Sequence, residues 1–255
     1  MTLRYQQEYY EQEHFWGNEP SPDNLARINE IISLIPNCVN SVLDVGCGDG
    51  CIINRLHNAG YESYGIDISS KALSYVKCWK KQMSCNNLHF KDNSFDLIIS
   101  SEIIEHLEDT VFMETLEEME RVTKKYIIIS VPYDEFLRSR MTRCVFCKKE
   151  HHIYNHLRSF SDKDLGNLFK NFRVIDKRYT GKVKVSYWFE KVLRYNLGNF
   201  YINKMTALCP YCGKKNSLKR KYNLFSLMAA TSVRILPRRD KPHWACVLYQ
   251  KIDQK

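Results

Sequence analysis

Three groups of side chains in this sequence have the types and spacing to do chemistry. The first is the run VLDVGCGDG (42–50), which places Asp44, Gly46, Gly48 and Gly50 where a short apolar stretch gives way to a turn. Glycines at such a turn let the backbone bend sharply and approach a ligand with no Cβ in the way. Asp67 follows 21 residues after Gly46, where a carboxylate at the end of the next strand can accept hydrogen bonds from both hydroxyls of a ribose. The spacing is G-x-G-x-G, not the G-x-G-x-x-G of sites that cradle a pyrophosphate. The second group is two C-x-x-C pairs, Cys144/Cys147 and Cys209/Cys212. Four thiolates suffice to close a tetrahedral zinc site. With 61 residues between Cys147 and Cys209, the fold must bring the pairs together, and His152 is the alternative fourth ligand. The third group is E-x-x-E-H, with Glu102, Glu105 and His106, joined by His156 further on. Two carboxylates and two imidazoles can move a proton or hold a divalent ion.

The elements that must position these groups alternate along the chain. Residues 22–35 form an amphipathic helix with Pro22 and Asp23 at its start. The pattern then predicts strands at 41–45, 62–67, 95–100 and 126–131, and helices at 51–59, 69–82 and 109–123. After Pro132 the rhythm breaks into a segment rich in Arg, Lys, Cys and His (138–158). A helix over 161–171 follows, with Ser161 as N-cap and Asp164 three residues on, then a strand at 172–179. Residues 181–240 are irregular, and 243–250 form a last strand. Strands alternating with helices predict a parallel sheet covered on both faces.

With these motifs in place, residues 40–132 resemble the class I S-adenosylmethionine-dependent methyltransferases. VLDVGCGDG is similar to their first motif, YGIDIS (64–69) to the next, and DNSFDLIISSEIIEHL (92–107) to the fourth-strand motif. The C-x-x-C…H-x-x-x-H-L-R-S-F arrangement (144–160) resembles a subset with a zinc-ribbon-like insertion. The resemblance implies a Rossmann-like, doubly wound, seven-stranded sheet with its last strand antiparallel, plus a small zinc-binding insertion. It implies that Asp44, Gly46, Gly48, Gly50 and Ser101 lie beside S-adenosylmethionine, that Asp67 holds the ribose, and that Ile68 flanks the adenine. Relatives carry an acidic residue before the segment equivalent to Leu88-His89-Phe90; here Ser84 or Cys85 stands there, so the resemblance implies adenine recognition that is either weaker or made by backbone. Glu102, Glu105, His106 and His156 resemble the Mg2+ or Mn2+ ligands of small-RNA 2′-O-methyltransferases and ubiquinone-pathway O-methyltransferases. Tyr5, Tyr9, Tyr10, Phe15 and Trp16 resemble a lid segment.

Composition bounds the rest. The chain has 255 residues, 44% hydrophobic and 26% charged, which suits one large core with an appendage. No apolar run is long enough to span a bilayer, and Met1–Glu13 does not read as a secretory leader, so a cytoplasmic protein with its thiols reduced is expected. The formal charge is +9, with Lys214, Lys215, Lys219, Arg220, Lys221, Arg234, Arg238, Arg239 and Lys241 crowded late in the chain. That excess suits either a solvated face or an anionic partner. The expected organisation is a helical lid over 1–36, a methyltransferase core in 37–137, 159–180 and 241–255, and zinc-binding, substrate-side insertions in 138–158 and 181–240. The leading function is methyl transfer to a hydroxyl of a small molecule, such as a sugar or polysaccharide precursor. The alternatives are RNA 2′-O-methylation with a divalent metal, and a zinc-stabilised binding module without catalysis.

Overall fold

The computed structural model describes residues 3–12, 16–185, 187–197, 208–214, 224–225, 228 and 239–252, with 3–6 and 194–196 in backbone only. Phe15, Lys215, Lys219, Arg220, Lys221, Arg234 and Arg238, and the side chain of Tyr5, lie outside the described residues. Along the chain the strands are β1 (Ser41–Val45), β2 (Glu62–Asp67), β3 (Trp79–Gln82), β4 (Phe95–Ser101), β5 (Thr123–Pro132), β6 (Met141–Arg143), β7 (Glu150–His152), β8 (Phe172–Thr180), β9 (Val183–Lys184), β10 (Asp240–Lys241) and β11 (Trp244–Lys251). The α-helices are α1 (Leu3–Tyr10), α2 (Pro22–Ser33), α3 (Ile53–Asn58), α4 (Ser70–Leu73), α5 (Asp109–Val122), α6 (Asp162–Gly166) and α7 (Trp188–Lys191).

The chain divides into two bodies. The larger comprises 10–134, 160–181 and 243–255; the smaller comprises 1–9, 135–159 and 182–242. The larger body holds a seven-stranded sheet in the order β3-β2-β1-β4-β5-β11-β8. Strands β1 to β5 run parallel to one another, and β11 runs antiparallel to both β5 and β8. This is the doubly wound, Rossmann-like arrangement that the sequence predicts. The central strands are buried on both sides, so they read as continuous apolar runs. Leu97 and Ile99 pack on one face with Ile28 and Ile31 of α2 and Ile53 and Leu56 of α3. Ile98, Ile127 and Ile129 pack on the other with Leu116, Met119 and Val122 of α5.

Local signals account for the helix ends. Ser21 caps α2, its hydroxyl accepting from the Asn24 amide at 3.3 Å. Ser161 and Asp164 form a capping box at the start of α6. Two expectations need correction. The helix expected over 69–82 stops at Leu73, and Trp79–Gln82 is the edge strand β3, all four residues exposed. An edge strand facing water on both sides shows no apolar alternation, and its lysines discourage further pairing. The helix expected over 161–171 ends at Gly166.

The smaller body contains the antiparallel pair β6/β7, with Met141 opposite His152 and Arg143 opposite Glu150, and the short pair β9/β10. Helix α7 runs on into a π-helical turn, Val192–Leu197.

Candidate functional site

In the larger body the sequence-predicted cofactor residues gather at the carboxyl ends of β1, β2 and β4. Gly46 and Cys47 both donate to the Ile66 carbonyl (2.8 and 2.9 Å), so the turn after β1 is tied to the end of β2. Gly46, Gly48 and Gly50 have φ of +74°, +54° and +83°, a region that side chains other than glycine rarely adopt. A Cβ at Gly46 would come within 2.3 Å of Ile103 Cδ1, so the close approach is real. The Asp67 carboxylate is buried and accepts from the Gly48 amide at 2.9 Å and the Ser69 amide at 2.8 Å. Each oxygen retains acceptor capacity beyond these bonds. Burial raises the Asp67 pKa above the ordinary carboxylate value even though the amides of Ser69, Gly48 and Ile68 lower it.

Asp44 is the second buried carboxylate of this site. It lies 2% exposed on β1, and among the described residues no donor reaches its carboxylate. Burial, with the nearby Asp67 charge, pushes its pKa up to about 7, against the pull of Arg27. A buried carboxylate in that condition is a receptor for a cation. Arg27 was not singled out in the sequence. It sits 9% exposed on the inner face of α2, donates to the Ser101 hydroxyl, and lies over the Trp244 ring at 5.5 Å. Its buried Nε has no partner. The signal that would have found it is an arginine one residue before Ile28 and four before Ile31, on the apolar stripe of an amphipathic helix.

The described part of the N-terminal segment runs across these turns. The Tyr10 carbonyl accepts from Trp16 Nε1 at 2.6 Å and from the Ser69 hydroxyl at 3.0 Å. Glu11 accepts from the Ser70 and Lys71 amides at the start of α4 (2.8 and 3.1 Å). Gly17 donates to Asp49 at 3.0 Å, and Trp16 lies where a Cβ on Gly48 would point. Ile68 is half-buried, and its carbonyl accepts from Gln82 at 2.8 Å. Cys85 accepts from the Thr115 hydroxyl at 3.3 Å, and Ser84 bonds Asn86.

Of the E-x-x-E-H residues, Glu105 and His106 stay side by side. Glu105 is 1% exposed beside His106, with Nε2 of the histidine 3.8 Å from Oε1 of the carboxylate. The Tyr10 ring meets His106 edge-on at 6.3 Å. Glu102, at φ +60°, instead accepts from the Trp244 indole at 3.1 Å. His156 belongs to the smaller body, where its Nδ1 bonds the Glu135 carboxylate. His152 stacks on His156 at 4.6 Å and also faces Glu135. Its Nδ1 accepts the amides of Tyr154 and His156 (3.3 and 3.2 Å). The idea that His152 replaces a cysteine ligand is therefore not supported, since its neighbours are Glu135 and His156. Both imidazoles hold the Glu135 pKa well below its usual value, against the opposing effect of burial.

The four cysteines of the smaller body do come together. Cys144 and Cys212 sulfurs lie 3.6 Å apart, and Cys147 and Cys209 sulfurs 3.5 Å apart, with all four mutually within 4.8 Å. A disulfide needs about 2.05 Å, whereas a tetrahedral ion with Zn–S bonds of about 2.3 Å sets its ligands about 3.8 Å apart. The two loops are near copies. In one, Lys148 donates to the Cys144 carbonyl and Cys144 to the Lys149 carbonyl; in the other, Gly213 donates to Cys209 and Cys209 to Lys214, all at 2.9–3.0 Å. Lys148 and Gly213 take the same left-handed turn, at φ +63° and +67°. Burial raises the Cys144 pKa, but the amides of Cys147 and Phe146 outweigh it and bring the thiol down to about 7.

Comparison with known proteins bears on the central part of the larger body. Residues 43–129 match the methyltransferase-domain family. The chain carries a methyltransferase domain there. That domain is 31% identical over 105 residues to an uncharacterised protein of Methanocaldococcus jannaschii, covering 39% of this chain and 44% of the relative. It is 31% identical over 97 residues to a ubiquinone biosynthesis O-methyltransferase of Albidiferax ferrireducens, covering 34% of this chain and 38% of the relative. The match thus spans less than half the length of these curated relatives. Among solved structures, an S-adenosylmethionine-dependent methyltransferase from Archaeoglobus fulgidus aligns with a TM-score of 0.53 at 16% identity, over 98% of this chain and 99% of that one. A magnesium protoporphyrin IX methyltransferase from Synechocystis with bound S-adenosylhomocysteine aligns at 0.53 and 15% identity, over 70% and 93%. At these identities the structural matches speak for the fold of the methyltransferase domain.

Proposed function

We propose that this protein transfers a methyl group from S-adenosylmethionine to a hydroxyl oxygen of its acceptor. The observation that carries the reading is the buried Asp44 carboxylate, reached by no donor among the described residues and opposite Arg27, with Asp67 beside the glycine turn. That donor set suits a ligand with both an ammonium and a carboxylate at one end and a ribose at the other. Asp44 would receive the ammonium, Arg27 would face the carboxylate, and Asp67 would hold the ribose hydroxyls, with Gly46, Gly48, Gly50, Ser101 and Ile68 shaping the cradle. The cofactor supplies an electrophilic methyl on sulfur; the chain's task is alignment and proton removal. Tyr10 and Trp16 would cover the cradle and exclude water. His106, steadied by Glu105, would accept the hydroxyl proton. Cys144, Cys147, Cys209 and Cys212 would hold a structural zinc ion.

The O-methyltransferase relatives favour an oxygen acceptor on a small molecule. The charge of the smaller body, set out below, favours the second reading, RNA 2′-O-methylation. The deciding experiment is titration calorimetry of S-adenosylhomocysteine into purified protein. Micromolar or tighter binding, lost in Asp67→Ala, is the expected result. No binding to protein of intact fold overturns the cofactor reading and leaves a zinc-stabilised binding module.

A further inference from the structure

Charge is divided unequally between the two bodies. The smaller carries 21 lysines and arginines against five aspartates and glutamates, a formal +16; the larger carries 17 against 24, a formal −7. The +9 of the whole chain thus understates a strongly cationic module joined to an acidic one. Such a module is built for a polyanion.

The cysteine loops say which kind. Each C-x-x-C presents one large ring at its tip: Phe146 is 55% exposed and Tyr211 is 48% exposed. Each ring is met by a lysine from the opposite loop, Lys214 over Phe146 at 4.7 Å and Lys149 over Tyr211 at 4.6 Å. A third pair of the same kind, Arg140 with Tyr154 at 6.0 Å, lies in the same body, and that ring is 41% exposed. An exposed phenyl ring is costly surface on a monomer unless something covers it. A ring held beside a cation and left open to solvent offers a base a face to stack on and its phosphate a charge to meet. A sulfated polysaccharide would satisfy the lysines but offers the paired rings no aromatic face to stack on.

We infer that the twin cysteine loops form a docking surface for single-stranded nucleic acid, with Phe146 and Tyr211 as stacking platforms and Lys149 and Lys214 as phosphate contacts. The inference rests on the smaller body alone and is independent of the cofactor reading. The test is fluorescence anisotropy of the full, zinc-loaded chain with a mixed-sequence single-stranded RNA of about 20 nucleotides, from about 50 to 200 mM KCl. Binding should weaken steeply with salt. The Phe146→Ala/Tyr211→Ala double variant should lose roughly tenfold or more in affinity with the salt slope unchanged. Lys149→Gln/Lys214→Gln should flatten the slope by about two contacts, and Phe146→Tyr should bind like the parent. Zinc content and calorimetric cofactor binding, measured on each variant, separate a folding defect or a failed cofactor reading from a failed docking surface. Absence of RNA binding overturns the inference. So does RNA binding that the aromatic double variant leaves intact, or heparin or anionic vesicles binding as tightly with the same indifference to the rings.

Discussion

The two bodies are held together by different physics. The larger is a sheet whose two faces are each sealed by a continuous apolar layer, Leu97 and Ile99 on one side, Ile98 and Ile129 on the other. The smaller is drawn from three distant stretches of chain, two of which meet at four sulfurs lying within 4.8 Å of one another. The first can dissipate a local defect through many contacts; the second concentrates its integrity at one point. Function follows the same division. The larger body hides acids, Asp44, Asp67 and Glu105, which suits a ligand carrying positive charge. The smaller displays cations and rings.

The largest expected effect falls on that concentrated point. Cys209→Ser should release zinc, read by a chromogenic chelator, and strip hydrogen-exchange protection from 141–158, because structural zinc contributes about 10 kcal/mol or more in small domains. Protection within β4 and β5 should be unchanged. If wild-type protein contains no zinc, the contrast between the bodies fails. Next come the cradle variants. Arg27→Met and Asp67→Ala should each weaken S-adenosylhomocysteine binding by roughly tenfold or more, the value of a charge-assisted hydrogen bond, without affecting zinc content. Unchanged calorimetric affinity in Arg27→Met would remove that residue from the cradle.

Asp44 sharpens the comparison through pH. Its folded pKa of about 7 lies above an unfolded value near 3.9, so ionisation costs the folded state increasingly as pH climbs from about 4 to 7. Asp44→Asn should therefore stabilise the ligand-free protein at pH 8 by about 1–3 kcal/mol, do little at pH 4, and abolish cofactor affinity. Denaturant melts at the two pH values check it; equal shifts at both would show that Asp44 is not buried as a lone charge. The smallest effect is Lys148→Gly. The left-handed turn at Lys148 costs roughly 0.5–1 kcal/mol that glycine avoids at the matching Gly213. Zinc competition should tighten a few-fold, and a loosening would mean that the lysine side chain itself holds the loop.

What the sequence made legible is what depends on near neighbours along the chain. The Asp44 to Gly50 turn, the distance to Asp67, the Ser161/Asp164 capping box and the alternation of buried strands are all local patterns. β3 escaped because an exposed edge strand has no buried face to print a period. Arg27 escaped because a charge on an apolar stripe acquires meaning only when the sheet edge it faces is known. The division of charge escaped for a similar reason. Residues 135–159 and 182–242 had to be assigned to one body before their lysines and arginines could be counted against the acids of the other.

The buried Asp44 carboxylate also makes the cradle a proton store. With its pKa pushed up to about 7, Asp44 is partly protonated in the ligand-free protein at neutral pH. A ligand that brings an ammonium to that spot must displace the proton, so binding and proton release are one event. The heat of binding at pH 7 should then vary with the ionisation enthalpy of the buffer, and the slope of that variation counts the protons leaving Asp44.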